Sequence, residues 1–247
     1  MKLGLALLAL SLPVVARAAS VELSHGVDAL SGDRPGWRAT ALEALWTGAR
    51  GAAGGFATRE LSRFDRDDVE FAAFGQAPVG GFVLALEGSA SPTWWFLPRW
   101  SAGLRVERAV APGWIASVGV RAARYERDVT RSTPLFASAG LERYWGRWRA
   151  AATTATVGLA GTWSGTGRLA LDLYYGNGGR VGVSAAAGRE LESIGDGRLL
   201  RSNVLGAAIV GAHPLRGGWA ATWELSAQRQ GDLYVRTGGR LGLRRHF

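Results

Sequence analysis

Three histidines are the first residues to weigh, because an imidazole held near a hydroxyl and a carboxylate is the usual base of a hydrolytic site. His25 has Ser24 beside it and Asp28 three positions on, His213 precedes Pro214, and His246 is the penultimate residue. Ser24, His25 and Asp28 have the types of a nucleophile, a base and an orienting acid. Their spacing is wrong for a strand, where neighbours point to opposite faces and Ser24 cannot reach His25. No metal site is legible either. The chain has no Cys, and FDRDD (64–68) and SIGDGR (193–198) are too short and incomplete for a calcium loop. The runs NGG (177–179) and TGG (237–239) precede no helix, so they read as turn or close-packing glycines rather than phosphate loops. The expectation is a non-enzymatic protein with no cofactor and no metal, with a surface enzyme built on His25 as an alternative.

The ionisable residues make more sense as one face of a repeated two-residue pattern. In the closing segment LYVRTGGRLGLRRHF (233–247), one set is Leu233, Val235, Thr237, Gly239, Leu241, Leu243, Arg245 and Phe247. The other is Tyr234, Arg236, Gly238, Arg240, Gly242, Arg244 and His246. Side chains alternate between the two faces of a strand, so this segment asks for an apolar environment on one side and a polar, crowded one on the other. The same dyad recurs along the chain: Ala102, Leu104 and Val106 against Arg105 and Glu107; Leu169, Leu171 and Leu173 against Arg168 and Asp172; Trp219, Ala221, Trp223 and Leu225 against Glu224. Extended by parity, the inward set predicts lumen-lining charges at Glu70, Glu87, Arg105, Glu107, Arg121, Glu142, Arg168, Asp172, Glu190, Glu224, Arg236 and Arg240.

The elements that would position these charges are strands of about a dozen residues broken by turn chemistry. They are placed at 20–29, 37–47, 55–64, 68–77, 80–89, 99–109, 113–126, 134–145, 148–162, 167–176, 180–191, 200–212, 218–229 and 233–247. The breaks, such as APVGG, APG, NGG, SGTG and PLRGG, are rich in Gly and Pro. Strands of this length can cross a bilayer at a tilt, whereas soluble sheets use about 5–6 residues. The apolar set is rich in Ala, unlike the bulky core of a β-sandwich, which is the rival fold. The longer breaks (SASPTWWFLP, DVTRST, SIGDGR) fall on one parity and the short ones on the other, as expected for long outer loops and short periplasmic turns. The break WTGARGAAGG departs from this rule and leaves twelve strands as an alternative to fourteen. Trp37, Trp46, Trp100, Trp114, Trp145, Trp148, Trp163 and Trp219 lie near strand ends, where interfacial girdles would place them. The expected fold is all-β, a transmembrane antiparallel up-and-down barrel with both termini periplasmic.

Composition agrees with export. Residues 1–19 have the charged start, apolar run and small-x-small site of a signal peptide, so 20–247 would be the barrel. The formal net charge is +9, and Lys2 is the only Lys. For an exported chain this basic balance excludes nucleic acid as the natural partner and favours wall charges paired in a confined space, or lipid phosphates.

From about residue 56 to the end, the order of features resembles the YaiO-type outer-membrane β-barrel domain family. The stretches that carry the likeness are SRFDRDDVEF, SPTWWFLPRWSAGLRVER, GWIASVGVRAARYER, LERYWGRWRA, DLYYGN and LYVRTGGRLGLRRHF. The resemblance implies a single barrel in the outer membrane of a Gram-negative bacterium. It also implies contact with outer-membrane lipid and lipopolysaccharide, insertion by the barrel-assembly machinery, and a link to surface polysaccharide or its export machinery. Helical repeats that precede the barrel in some relatives have no room between residues 20 and 37. Leu241, Leu243 and Phe247 match the terminal signal for barrel insertion, and Arg245 departs from it in a position where the side chain can snorkel. The functional expectation is a passive or partner-assisted conduit of the cell envelope. A closed structural or adhesion barrel, its lumen filled by side chains, is the second reading.

Overall fold

The structure is a computed structural model that describes residues 18–32, 34–63, 65–127, 130–193 and 199–247. The expected signal peptide, except its last two residues, and parts of DVTRST and SIGDGR lie outside the described residues. Among the described residues fifteen strands form: β1 (Ala18–Leu30), β2 (Arg34–Thr47), β3 (Ala53–Arg63), β4 (Arg66–Val79), β5 (Phe82–Ala90), β6 (Trp100–Ala111), β7 (Trp114–Arg127), β8 (Thr130–Ser132), β9 (Leu135–Trp145), β10 (Trp148–Leu159), β11 (Thr162–Tyr175), β12 (Gly179–Ser193), β13 (Leu199–Pro214), β14 (Trp219–Gln230) and β15 (Tyr234–His246). Each long strand pairs antiparallel with its neighbours, and β1 closes on β15 from Ser20↔His246 to Leu30↔Arg236. The result is a closed barrel of fourteen long strands, with the short β8 pairing beside the end of β7 in line with β9. Among the described residues no helix is long and apolar enough to cross a membrane.

The barrel is inside out relative to a soluble sandwich. Among the described residues its buried apolar residues are few and mostly small: Trp37, Ala57, Ala123, Val204 and Ala220. The buried polar set, with Ser24, Asp68, Ser101, Asp172 and Gln230 among it, is larger. The big aliphatic side chains stand on the outside, with Leu169 66% and Leu241 73% exposed. A sandwich buries such residues between its sheets, so the exposed band needs an apolar solvent. A charge placed in that band should be costly. Leu169→Arg is expected to destabilise the barrel by about 2–4 kcal/mol, while Ala170→Arg, one residue on and facing inward, costs less than about 1 kcal/mol. Urea unfolding in lipid vesicles measures both.

Two turns differ from the sequence reading. β3 begins at Ala53, so the long break shrinks to 48–52 and the count is fourteen rather than twelve. Gly54 and Gly55 are strand residues because rings cover them: a Cβ on Gly54 would meet the Trp46 ring, and one on Gly55 the Phe74 ring. SGTG (164–167) is not a turn but part of β11. The hairpin turns instead at Ala160 (φ 49°) and Gly161 (φ 78°), the two left-handed positions of a tight two-residue loop. Ala is a poor advertisement for positive φ, which hides this turn from composition.

Both described chain ends lie at one rim, which we call the terminal rim. It carries the connections 48–52, 80–81, 112–113, 146–147, 176–178 and 215–218. The opposite rim carries 91–99, 160–161 and 231–233, together with the described residues 31–32, 65 and 130–134. SASPTWWFLP lies on the opposite rim, as the parity of loop lengths predicts, while WTGARGAAGG, shortened to 48–52, lies on the terminal rim.

Candidate functional site

The register places all twelve predicted charges on the inner face. Glu87 lies opposite Gly103, which lies opposite Arg121; Arg105 lies opposite Gly119, and Glu107 opposite Ser117. Glu142, Arg168, Asp172, Glu190, Glu224, Arg236 and Arg240 share this face through the remaining pairings, as does Glu70 through Arg59. Most of the twelve are partnered. Glu70 meets Arg59 at 3.3 Å, Arg105 meets Glu107 at 3.1 Å and Arg240 meets Glu224 at 2.9 Å. Arg236 reaches Asp28 at 3.9 Å and donates to Gln228 Oε1 at 2.7 Å. Glu190 accepts from Gln230 at 3.1 Å, and Arg168 donates to Ser184 at 3.1 Å.

The strongest cluster joins β9, β10 and β11 and centres on Arg149, which is outside the predicted set. Its guanidinium donates to Glu142 from Nε (2.9 Å) and Nη2 (2.7 Å), and to Asp172 from Nη1 (2.7 Å). Tyr144 adds a hydroxyl to Glu142 at 2.7 Å, and Arg180 stands 3.9 Å from Asp172, itself only 4% exposed. A second cluster at the barrel seam binds Glu22 to Arg244 (2.6 Å) and to the Thr222 hydroxyl (2.9 Å). Glu22, Asp28, Arg59, Arg149, Arg180 and Arg244 were all within reach of parity counting. VELSHGVD alternates cleanly, and Arg244 shares the set of Arg236 and Arg240.

What parity cannot supply is how the acids reach past the next strand. Asp172 leans over Gly182, Glu87 over Gly103, Asp28 over Gly238 and Glu22 over Gly242. Each inward glycine leaves the room that a carboxylate needs to lie across the sheet. Gly242→Val is therefore expected to eject Glu22 from Thr222 and cost about 1–3 kcal/mol by overpacking, whereas Thr222→Ala should cost about 1 kcal/mol. The unfolding midpoints of the two variants measure the difference.

One wall of the lumen holds a pocket of about 380 Å³, lined on the inside by Phe74, Gln76, Glu87, Arg105, Arg121 and Phe136. Arg121 lies over the Phe136 ring at 5.4 Å, and its buried Nε has no hydrogen bond. At the opposite rim Trp37 faces the lumen. The sequence reading placed Trp37 in a girdle, but its pairing with Asp28 turns it inward, where it is 6% exposed. Arg63 lies over its ring at 4.5 Å and Arg236 at 5.3 Å, and Tyr234 meets it edge-on at 5.8 Å. The loop 91–99 folds against the same rim. Asp68, fully buried, accepts from the backbone N–H groups of Trp95, Phe96 and Leu97, each at 2.8 Å. Thr93 Oγ1 takes the Val69 N–H at 2.9 Å, and Arg63 also covers Phe96 at 5.5 Å.

The histidines are not brought together. His25 faces outward and shares a 2.9 Å hydrogen bond with Thr40, while Ser24 faces inward and is buried. His213 meets the Tyr175 hydroxyl at 3.2 Å on the outer face, and His246 pairs in register with Ser20 at the terminal rim. Leu241 and Leu243 stand on the outer face of β15, and Phe247 follows that strand highly exposed, its N–H bonded to Ala19 O at 2.9 Å.

A closed, inside-out barrel with an ionised interior defines an outer-membrane β-barrel of the porin architecture. The model of the YaiO membrane beta barrel domain matches residues 18–190, and the chain belongs to that family. Solved structures share the fold at low identity. The anion-selective porin from Comamonas acidovorans is 11% identical with a TM-score of 0.52, over 94% of this chain and all of that one. The CymD monoaromatic hydrocarbon channel is 8% identical with a TM-score of 0.64, over 94% and 89% of the two chains. OpdL from Pseudomonas aeruginosa is 10% identical with a TM-score of 0.51, over 96% and 99%. No curated protein matches the chain.

Proposed function

We propose that this barrel is a passive or partner-assisted conduit for small polar solutes across the outer membrane of a Gram-negative bacterium, with its terminal rim in the periplasm. Fourteen strands about 4.8 Å apart and tilted by about 40° close on a backbone circle roughly 28 Å across. The observation that carries the proposal is what fills that space on β10 to β14. The inward residues there include Thr153, Ala155, Ala170, Ala186, Ala208 and Ser226, too small to close it. The charges that remain are of both signs and mostly paired, which suits a weakly selective aqueous path rather than a strong anion or cation filter. The outward placement of His25 speaks against His-based hydrolysis, and His25→Ala leaves a conduit unaffected.

The second reading, a closed structural or adhesion barrel, draws on the Trp37, Arg63 and Phe96 cluster and the loop anchored on Asp68, which lie at one mouth. Planar-bilayer recording separates the two: discrete conductance steps support the conduit, and a flat baseline from folded protein supports the closed barrel. Surface polysaccharide or its export machinery is the partner that the family resemblance suggests. The outward Leu241, Leu243 and Phe247 support insertion by the barrel-assembly machinery, and the apolar outer band supports contact with outer-membrane lipid and lipopolysaccharide.

A further inference from the structure

The positive charge of this chain is distributed unevenly. On the inner face acids and bases are interleaved and largely matched. Outside the lumen at the terminal rim they are not. The turns there, 48–52, 80–81, 112–113, 146–147, 176–178 and 215–218, contain Arg50, Arg147 and Arg216 and no Asp or Glu. The outward residues of the adjoining strand ends contribute Arg108, Arg143 and Arg245, again without an acid.

Those last three arginines share one construction. Arg143 is paired across the sheet with Trp114, lies over its ring at 5.2 Å and stands 5.6 Å from the Trp145 ring. Arg245 is paired with Trp219, lies over that ring at 5.4 Å and over Phe247 at 5.7 Å. Arg108 lies over Phe82 at 5.0 Å. None of the three has a carboxylate partner among the described residues, unlike three arginines of the opposite rim, where Arg38 and Arg189 also face outward. There Arg99 and Arg124 share Glu126, at 2.7 and 3.3 Å, and Arg229 meets Asp232 at 3.2 Å.

We propose that this collar binds the phosphates of anionic glycerophospholipids in the leaflet around the terminal rim. An aromatic ring lies beneath each guanidinium at the depth where headgroups lie, and a cation–π contact leaves N–H groups free to donate. Those N–H groups match two oxygens of a phosphodiester. The absence of competing carboxylates means that the counter-ion must come from outside the protein, and on a lipid-facing surface the available anion is the headgroup. The proposal rests on the membrane-barrel reading and on its orientation, which places this rim among periplasmic-leaflet phospholipids.

Native mass spectrometry of the full chain, released from bilayers of equal phosphatidylglycerol and phosphatidylcholine, tests it. The expected result is a roughly fivefold excess of phosphatidylglycerol among retained lipids. The excess should vanish in the triple variant Arg108→Gln, Arg143→Gln and Arg245→Gln and persist when Arg38→Gln and Arg189→Gln are combined at the opposite rim. Equal retention by the wild-type protein overturns the proposal without any variant, and so does an excess that survives the triple substitution or is lost with the opposite-rim pair. Should the triple variant fail to fold, Arg143→Gln alone must still lower the excess. Failure of the barrel reading is distinguishable: the wild-type protein would then retain neither lipid nor heat-modifiable mobility in detergent.

Discussion

Replacing Arg149 with Ala will both weaken the barrel and make it cation-preferring. Arg149 is the shared partner of Glu142 and Asp172 at 2.7 Å each. Removing it leaves two carboxylates facing each other, with only Arg180 near Asp172 at 3.9 Å. Breaking a buried pair by deleting one member costs about 3–5 kcal/mol, and access to lumen water reduces this to about 2–3 kcal/mol here. Urea unfolding in vesicles measures the stability loss. The selectivity change has a definite sign, since one fixed positive charge is lost and two negative ones are uncovered. Reversal potentials in a salt gradient should therefore shift toward the cation equilibrium potential. Adding Glu142→Gln and Asp172→Asn to the same protein should reverse the shift.

The second large effect belongs to Asp68. Its two oxygens accept three consecutive backbone N–H groups, from Trp95, Phe96 and Leu97. Asp68→Ala leaves those donors unpaired in a part-buried site, at about 1–3 kcal/mol for each. The loss will be felt locally, because the loop 91–99 can detach while the sheet remains closed. Hydrogen exchange at Trp95, Phe96 and Leu97 should accelerate by roughly a hundredfold or more, and proteolysis within the loop should follow, with β-sheet content unchanged. Asp68→Asn, which keeps one acceptor oxygen, should fall between the two.

These two sites show what alternation can and cannot reveal. The face of every long strand was legible, because a two-residue period assigns Glu224 and Arg240 to one side and Leu225 and Leu241 to the other without knowledge of any partner. Arg149 was equally legible in principle, sharing its face with Thr153. Its central role was not, since that depends on which strands sit beside β10 and in what register. The docking of Trp95, Phe96 and Leu97 on Asp68 joins positions with no periodic relation, so no pattern announces it. Trp37 was misplaced for a related reason: position near a strand end suggests a girdle, but only pairing with Asp28 decides which way the ring points. The turn at Ala160 and Gly161 escaped because the glycines of SGTG, the first of them Gly165, offered a louder signal just beyond it.

The most direct measurement uses the absence of native cysteine. Single cysteines at 169, 170, 225 and 226 would be exposed, in proteoliposomes, to a membrane-impermeant thiol reagent. Leu169 and Leu225 lie on the outer face, and Ala170 and Ser226 on the inner one. Modification at 170 and 226, with protection at 169 and 225, is the expected result. Equal labelling of neighbours, or labelling of 169 and 225 alone, would contradict a barrel whose outer surface meets hydrocarbon and whose interior meets water.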